Sequence, residues 1–156
     1  MIVPQKVSKR DEKNVERPEV IDRVLDEAEA YYRATLLLEE KRNRDELFSP
    51  VIMNATFSCE LFSKVILYTE KEKGLIKGHT LKSLYNSFSE DVKGKLHCLF
   101  ANTTKERLIS WIDDIDELFE FWRYRYEYRS YSTHYSFVLE YMEALRKVAN
   151  DIVKGN

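Results

Sequence analysis

Apolar residues recur at three- and four-residue intervals through most of this chain, and that period predicts helices. The first is expected to open at Pro18, a favoured first helical residue. Val20, Val24, Ala28, Tyr31, Thr35 and Leu38 form its stripe, with Asp22, Asp26, Glu29 and Arg33 on other faces, and it should end near Arg42–Arg44. Ser49-Pro50 reads as the cap and first residue of a second helix. Residues 51–69 of that helix are apolar on most sides, from Val51 and Ile52 through Cys59, Phe62 and Ile66, which predicts the central element of the fold. Within it, Glu60 and Lys64 stand four apart and can pair. Gly74 is expected to end it.

Gly78-His79-Thr80 opens a short third helix with Leu81, Leu84, Tyr85 and Phe88 on one stripe. Ser89 is placed to cap a fourth, carrying Val92, Leu96, Leu99 and Phe100. Thr103-Thr104-Lys105-Glu106 has the form of a capping box and starts a long fifth helix. Its core face is Leu108, Trp111, Ile112, Ile115, Leu118, Phe119 and Trp122. Its wet face is Asp113, Asp114, Asp116, Glu117 and Glu120. After a polar, aromatic-rich break over Tyr128–Thr133, a sixth helix carries Phe137, Val138, Tyr141, Leu145, Val148 and Ile152. Long amphipathic helices on short connections predict an all-α, up-down bundle of four to six helices. Residues 1–17, charged and poor in apolar positions, read as a flexible leader to a single helical domain over 18–156.

Composition narrows the picture. With 156 residues the chain is one domain long. Only 4 Gly and 3 Pro leave little turn chemistry for a sheet-rich fold. A formal charge of −2 is unlike that of a non-specific nucleic-acid binder, so any RNA contact has to come from a local patch. Cys59 and Cys98 both fall in apolar helical stretches and read as buried free thiols. No apolar run approaches the roughly 20 residues of a membrane span, and no signal-peptide pattern opens the chain; a cytoplasmic location with no membrane partner is expected.

Three segments, taken in order, resemble those of the HEPN family of helical bundles. Glu60-Leu61-Phe62-Ser63-Lys64 resembles an "xELxxK" helix, Gly78-His79-Thr80-Leu81-Lys82-Ser83-Leu84-Tyr85-Asn86 a "GHxLKxLY" helix, and Phe121-Trp122-Arg123-Tyr124-Arg125-Tyr126-Glu127 a "WRYxYE" stretch. The resemblance implies a HEPN-like bundle, often a homodimer, and in many members a metal-independent endoribonuclease of stress response or defence. In the toxin–antitoxin setting a nucleotidyltransferase antitoxin is an implied protein partner. The family's cleavage signature is an Arg, four to six residues, then a His near the start of the last helix. Arg129-Ser130-Tyr131-Ser132-Thr133-His134 has that form. Toxin members carry Arg-x4-His-x-Tyr; here Tyr135 follows His134 directly and Ser136 stands in the Tyr position. Members with "WRYxYE" need not cut RNA.

The chemistry fits the residue types. His134 can take the 2′-hydroxyl proton or protonate the leaving oxygen near neutral pH. Arg129 can clamp the phosphate bidentately, and a helix N-terminus favours the same anion. By analogy with the family, two subunits each lend one such pair, and the product is a 2′,3′-cyclic phosphate. The plainer alternative is a surface Arg and His that satisfy local hydrogen bonds. Arg123, Tyr124, Arg125, Glu127, Tyr128 and Tyr131 form a candidate RNA surface of guanidinium groups among aromatic faces. They equally fit a bundle end packed with tyrosines, with Arg123–Glu127 as an ion pair one turn apart.

Other chemistry is poorly served. His79 is expected to cap or pack the third helix. His97 and Cys98 are adjacent, so they point apart, and zinc spacing is absent. The fifth helix has no Glu-x-x-His of a di-iron bundle. No phosphate-binding Gly loop, G-x-S-x-G or H-E-x-x-H occurs. No metal or cofactor is expected. The competing functions are a HEPN-like endoribonuclease, a non-catalytic HEPN-like module that binds RNA, a nucleotide or a protein, and a purely structural dimerising bundle.

Overall fold

The computed structural model of the chain describes residues 17–41, 47–70, 78–123 and 135–155. Those residues form six helices and no strand. They are α1 (Arg17–Glu40), α2 (Phe48–Glu70), α3 (Leu81–Ser87), α4 (Glu90–Leu99), α5 (Lys105–Arg123) and α6 (Tyr135–Gly155). The all-α bundle expected from the periodicity is the fold observed.

Helix α2 is the axis. Val51, Ile52, Ala55, Cys59, Phe62, Val65, Ile66 and Leu67 are wholly shielded from solvent. Helices α1, α3, α5 and α6 all pack against α2. Its length and composition would suit a membrane span, yet most of that stretch is buried inside the bundle. Close approach of α1 rests on small residues. Ala28 and Ser58 are both fully buried where the helices meet, and Ser58 Oγ donates to the Ala28 carbonyl at 3.0 Å.

Helix α6 runs antiparallel to α1 and is tied to it at its start and again past its middle. Tyr135, at its start, hydrogen-bonds Glu39 and stacks on Phe48 with centroids 4.5 Å apart. Three to four turns on, Arg146 Nε donates to both carboxylate oxygens of Glu29 at 2.9 and 3.0 Å, and Asn150 Nδ2 adds a third bond at 3.1 Å. The guanidinium also lies 4.3 Å above the Tyr32 ring. The other side of α6 carries an aromatic cluster: Phe137 stacks on Tyr141 at 5.7 Å and meets Trp111 at 5.0 Å and Phe100 at 5.6 Å.

Several local expectations shift. Helix α1 ends at Glu40, and its buried stripe is shallow, with only Ala28 and Thr35 fully enclosed. Helix α2 begins at Phe48, so Ser49 and Pro50 occupy its first turn, and Ser49 is not the residue before the helix; Pro is tolerated there because a first-turn N–H has no partner to lose. Thr104 replaces Thr103 as the cap of α5, its hydroxyl accepting from Arg107 N at 3.3 Å. Helix α4 faces the core with Val92, Leu96 and Phe100 alone. Cys98, expected buried, is exposed, as is Leu99, because a helix of ten residues presents only one narrow stripe to its neighbours. Gly74 lies outside the described residues, as do residues 1–16 of the leader.

Phe62 has no solvent exposure. Phe62→Ala is therefore expected to lower unfolding free energy by about 3–5 kcal/mol in chemical denaturation; a loss under ~1 kcal/mol contradicts its place at the centre. The Tyr141 hydroxyl is fully buried with no hydrogen-bond partner among the described residues, and burial pushes its pKa well up. Removing an unsatisfied hydroxyl relieves its desolvation, so Tyr141→Phe should leave stability unchanged or raise it by ~1 kcal/mol. A clear loss in the same experiment contradicts this.

Candidate functional site

Of the residues singled out for chemistry, Arg129, His134, Tyr124, Arg125, Glu127, Tyr128 and Tyr131 lie outside the described residues. Arg123 is the last helical residue of α5, and its side chain is likewise outside them. What the structure does bring together is the first two of the three motif segments, on α2 and at the start of α3.

Glu60 Oε1 accepts from Lys64 Nζ at 2.5 Å, the pairing expected one turn apart on α2, and it also faces His79 Nδ1 at 3.1 Å. Glu60 and Lys64 side chains are only 12% and 16% exposed, whereas His79 is 84% exposed. A carboxylate can only accept, so its partner nitrogen Nδ1 carries a proton, and in a neutral ring Nε2 is then the acceptor. Glu60 thus orients an imidazole at the surface while Lys64 balances its charge. His79 neither packs into α3 nor caps it.

The turn that presents His79 depends on Gly78. Its φ is +153°, and a Cβ there would meet Ser83 Oγ at 3.2 Å. Thr80 then caps α3: its hydroxyl accepts from Ser83 N at 3.2 Å, and Ser83 Oγ returns a bond to the Thr80 carbonyl at 2.9 Å. A second cap comes from α5. Asp116 accepts from Leu81 N at 2.5 Å and Lys82 N at 2.7 Å, and Lys82 Nζ reaches Asp113 at 2.5 Å. Asp116, expected on the wet face, is therefore half-buried and committed to α3. Burial pushes its carboxyl pKa up, against the opposing pull of the two N–H donors. This use was invisible in the sequence because the partners are 34 and 35 residues away.

The corner formed by α2, α3 and α5 is nearly balanced in charge. Its chemistry is that of a polar lock with one outward imidazole. The third motif segment continues from α5, the first of its residues, Phe121, lying about 8 Å along the helix from Asp116. The start of α6 is a different place. Helix α6 begins at Tyr135 against Phe48, and Glu60 is about 18 Å from Phe48 along α2. Of the remaining candidates, His97 Nε2 lies 2.8 Å from the Thr103 carbonyl and serves the α4–α5 turn. Burial pushes the Cys59 thiol far up, which makes it inert. Among the described residues no group of three His, Cys, Asp or Glu side chains could hold a metal ion.

Asp116→Ala leaves two helix N–H groups without their carboxylate and is expected to cost about 1–2 kcal/mol. Asp116→Asn, which keeps one acceptor and removes a desolvated charge, should cost less than half of that. Because the folded-state pKa of Asp116 is raised, its stabilising contribution is fully present below the ordinary carboxyl value and declines as pH rises through the raised one. The gap between wild type and Asp116→Asn in denaturation should narrow accordingly with rising pH; a widening gap refutes the desolvation account. No protein-family model matches this chain, and no curated protein or solved structure does so either.

Proposed function

We propose that the protein is a HEPN-like, metal-independent endoribonuclease of stress response or defence, with Arg129 and His134 as the pair that cleaves an RNA phosphodiester. The observation that carries this reading is the start of α6. The helix begins at Tyr135, the residue after His134 in the chain, and its first turn is held by the Tyr135 contacts to Glu39 and Phe48. A His placed in the chain directly before an anchored helix N-terminus supports this reading, since the peptide N–H groups there favour the same anion that Arg129 would clamp. In this mechanism the 2′-oxygen attacks phosphorus and the P–O5′ bond breaks. His134 takes the 2′-hydroxyl proton or supplies one to the departing 5′-oxygen, and a 2′,3′-cyclic phosphate remains. A homodimer would set two such pairs across one cleft, and a nucleotidyltransferase-type antitoxin is the protein partner this reading favours.

One observation favours the second reading, a non-catalytic module that binds RNA, a nucleotide or a protein. Tyr135 stands one position earlier than the Tyr of the toxin signature, and it is used for packing, its ring on Phe48 and its hydroxyl on Glu39. In that case the Arg- and Tyr-rich segment 123–131 carries binding without cleavage.

Incubation of the purified protein with single-stranded RNA separates the two. The enzyme reading expects cutting that persists in EDTA, is abolished in His134→Ala with the helical circular dichroism unchanged, and fails in Arg129→Lys, because a point charge cannot replace a bidentate clamp. Cutting that stops with chelator, or a His134→Ala variant that cuts at full rate, removes the mechanism. Binding without cutting, weakened by loss of Tyr124, Arg125 or Tyr128, selects the second reading.

A further inference from the structure

Helix α4 meets α6 along a single stripe, and the flank of that contact is open. A groove of about 550 Å3 runs between the two helices, and a second hollow of about 400 Å3 continues it past Leu99 and Lys147, which line both. Its width has a local cause. Gly94 sits on the α4 side, and nothing lies within 4 Å of where its Cβ would be. Val148 and the exposed Leu99 and Cys98 make the surface apolar. The charge around it is acidic. Glu90, Asp91 and Asp151 line one part, Glu140 and Glu143 the other. Lys147 is shared; Asp91 is paired with Lys95 at 2.7 Å and Glu90 with Lys93 at 3.0 Å, while Glu143 lies 3.8 Å from Arg146, so the five carboxylates still outnumber the cations beside them.

An apolar groove with a carboxylate rim calls for a short basic, partly apolar segment, and this chain carries one. Residues 1–10 contain Met1, Ile2, Val3 and Val7 together with Lys6, Lys9 and Arg10, and no acid before Asp11. The start of α1, to which that segment is joined, lies at the end of the groove beside α4. From the Ala28–Ser58 contact, the start of α1 lies about 16 Å away and the end of α2 about 18 Å away in the same direction. At that end of α2, Glu70 bonds Ser89, the cap of α4, beside Glu90 and Asp91. Residues 1–16 can span up to about 50 Å when extended, against roughly 15 Å for the length of α4. We propose that residues 1–10 dock in the α4–α6 groove of their own chain, with the apolar side chains over Val148 and Leu99 and the cations against Glu90, Asp91 and Asp151. Tethering supplies an effective concentration of order millimolar, so a weak contact suffices.

The groove contains its own reporter. Cys98 is exposed within it, and Cys59, the second of the two cysteines, is wholly buried. Modification of the folded full chain by a neutral maleimide therefore reads access to Cys98. A segment docked about nine-tenths of the time slows labelling roughly tenfold. Lys6→Glu, Lys9→Glu and Arg10→Glu combined are expected to remove that protection, and high salt should weaken it in the wild type. Losing nearby cations by itself disfavours the thiolate and slows reaction, so faster labelling in the variant reports access. A synthetic peptide of residues 1–10 should protect the variant again. Equal rates in wild type and variant overturn the proposal. A rate that falls with protein concentration and ignores the leader charges also overturns it, and assigns the groove to a second copy.

Discussion

A helix that is apolar nearly all round cannot remain in water, and everything else in this fold follows from covering α2. One neighbour shields one face. Helices α1, α6, α3 and α5 are all required, and each needs only a single apolar stripe to serve. That division explains why the flanking helices differ so much in burial. Helix α1 spends little more than Ala28 and Thr35 on full enclosure, because Ser58 and Ala28 let its backbone approach closely. Helix α6 carries the wide stripe from Phe137 to Ala149, because it meets α2 on one side and the aromatic cluster of α4 and α5 on the other.

Apolar covering alone does not fix how helices slide and rotate against one another; the polar ties do that here. Glu29, Arg146 and Asn150 set α6 against α1 through directional bonds with the guanidinium stacked on Tyr32. Ion pairs of this kind are worth little when fully exposed, but Glu29 is mostly shielded and bonded by both partners. At the other side of the bundle, Glu60, Lys64 and His79 tie α2 to the turn before α3, and Asp116 and Asp113 tie α3 to α5. The direction in which α5 carries the chain toward Arg123 is thus set by carboxylates gripping a helix of seven residues.

This arrangement separates the lock from the start of α6. The lock at α2, α3 and α5 is near neutral and inward-looking apart from one imidazole, which suits a positioning function. The start of α6 meets α2 about 18 Å away, where Tyr135 holds Phe48 and Glu39, and Phe137 then joins the aromatic cluster with Trp111 and Phe100.

Much of the architecture was legible in the chain because it depends on near neighbours. A period of three to four residues, Ser89 before Val92, and Glu60 one turn before Lys64 all report contacts made within a few residues, and each was found where the pattern put it. Misplaced features were those in which a local signal competes with a distant partner. Asp116 looked like one more solvated acid beside Asp113 and Asp114, yet backbone N–H groups more than thirty residues away claim it. Cys98 and Leu99 looked like core, but a helix of ten residues has room for only one narrow stripe inside, and the packing of α4 decided which. The Arg129 and His134 signature was readable as residue types and spacing. The sequence by itself therefore determined helix content, order and the central place of α2, since these follow from local periodicity and from how much apolar surface each segment must hide. Only the tertiary structure decided which charges are locks, which apolar residues remain in solvent and where the α4–α6 groove opens, because those depend on the angle and depth at which already-formed helices meet.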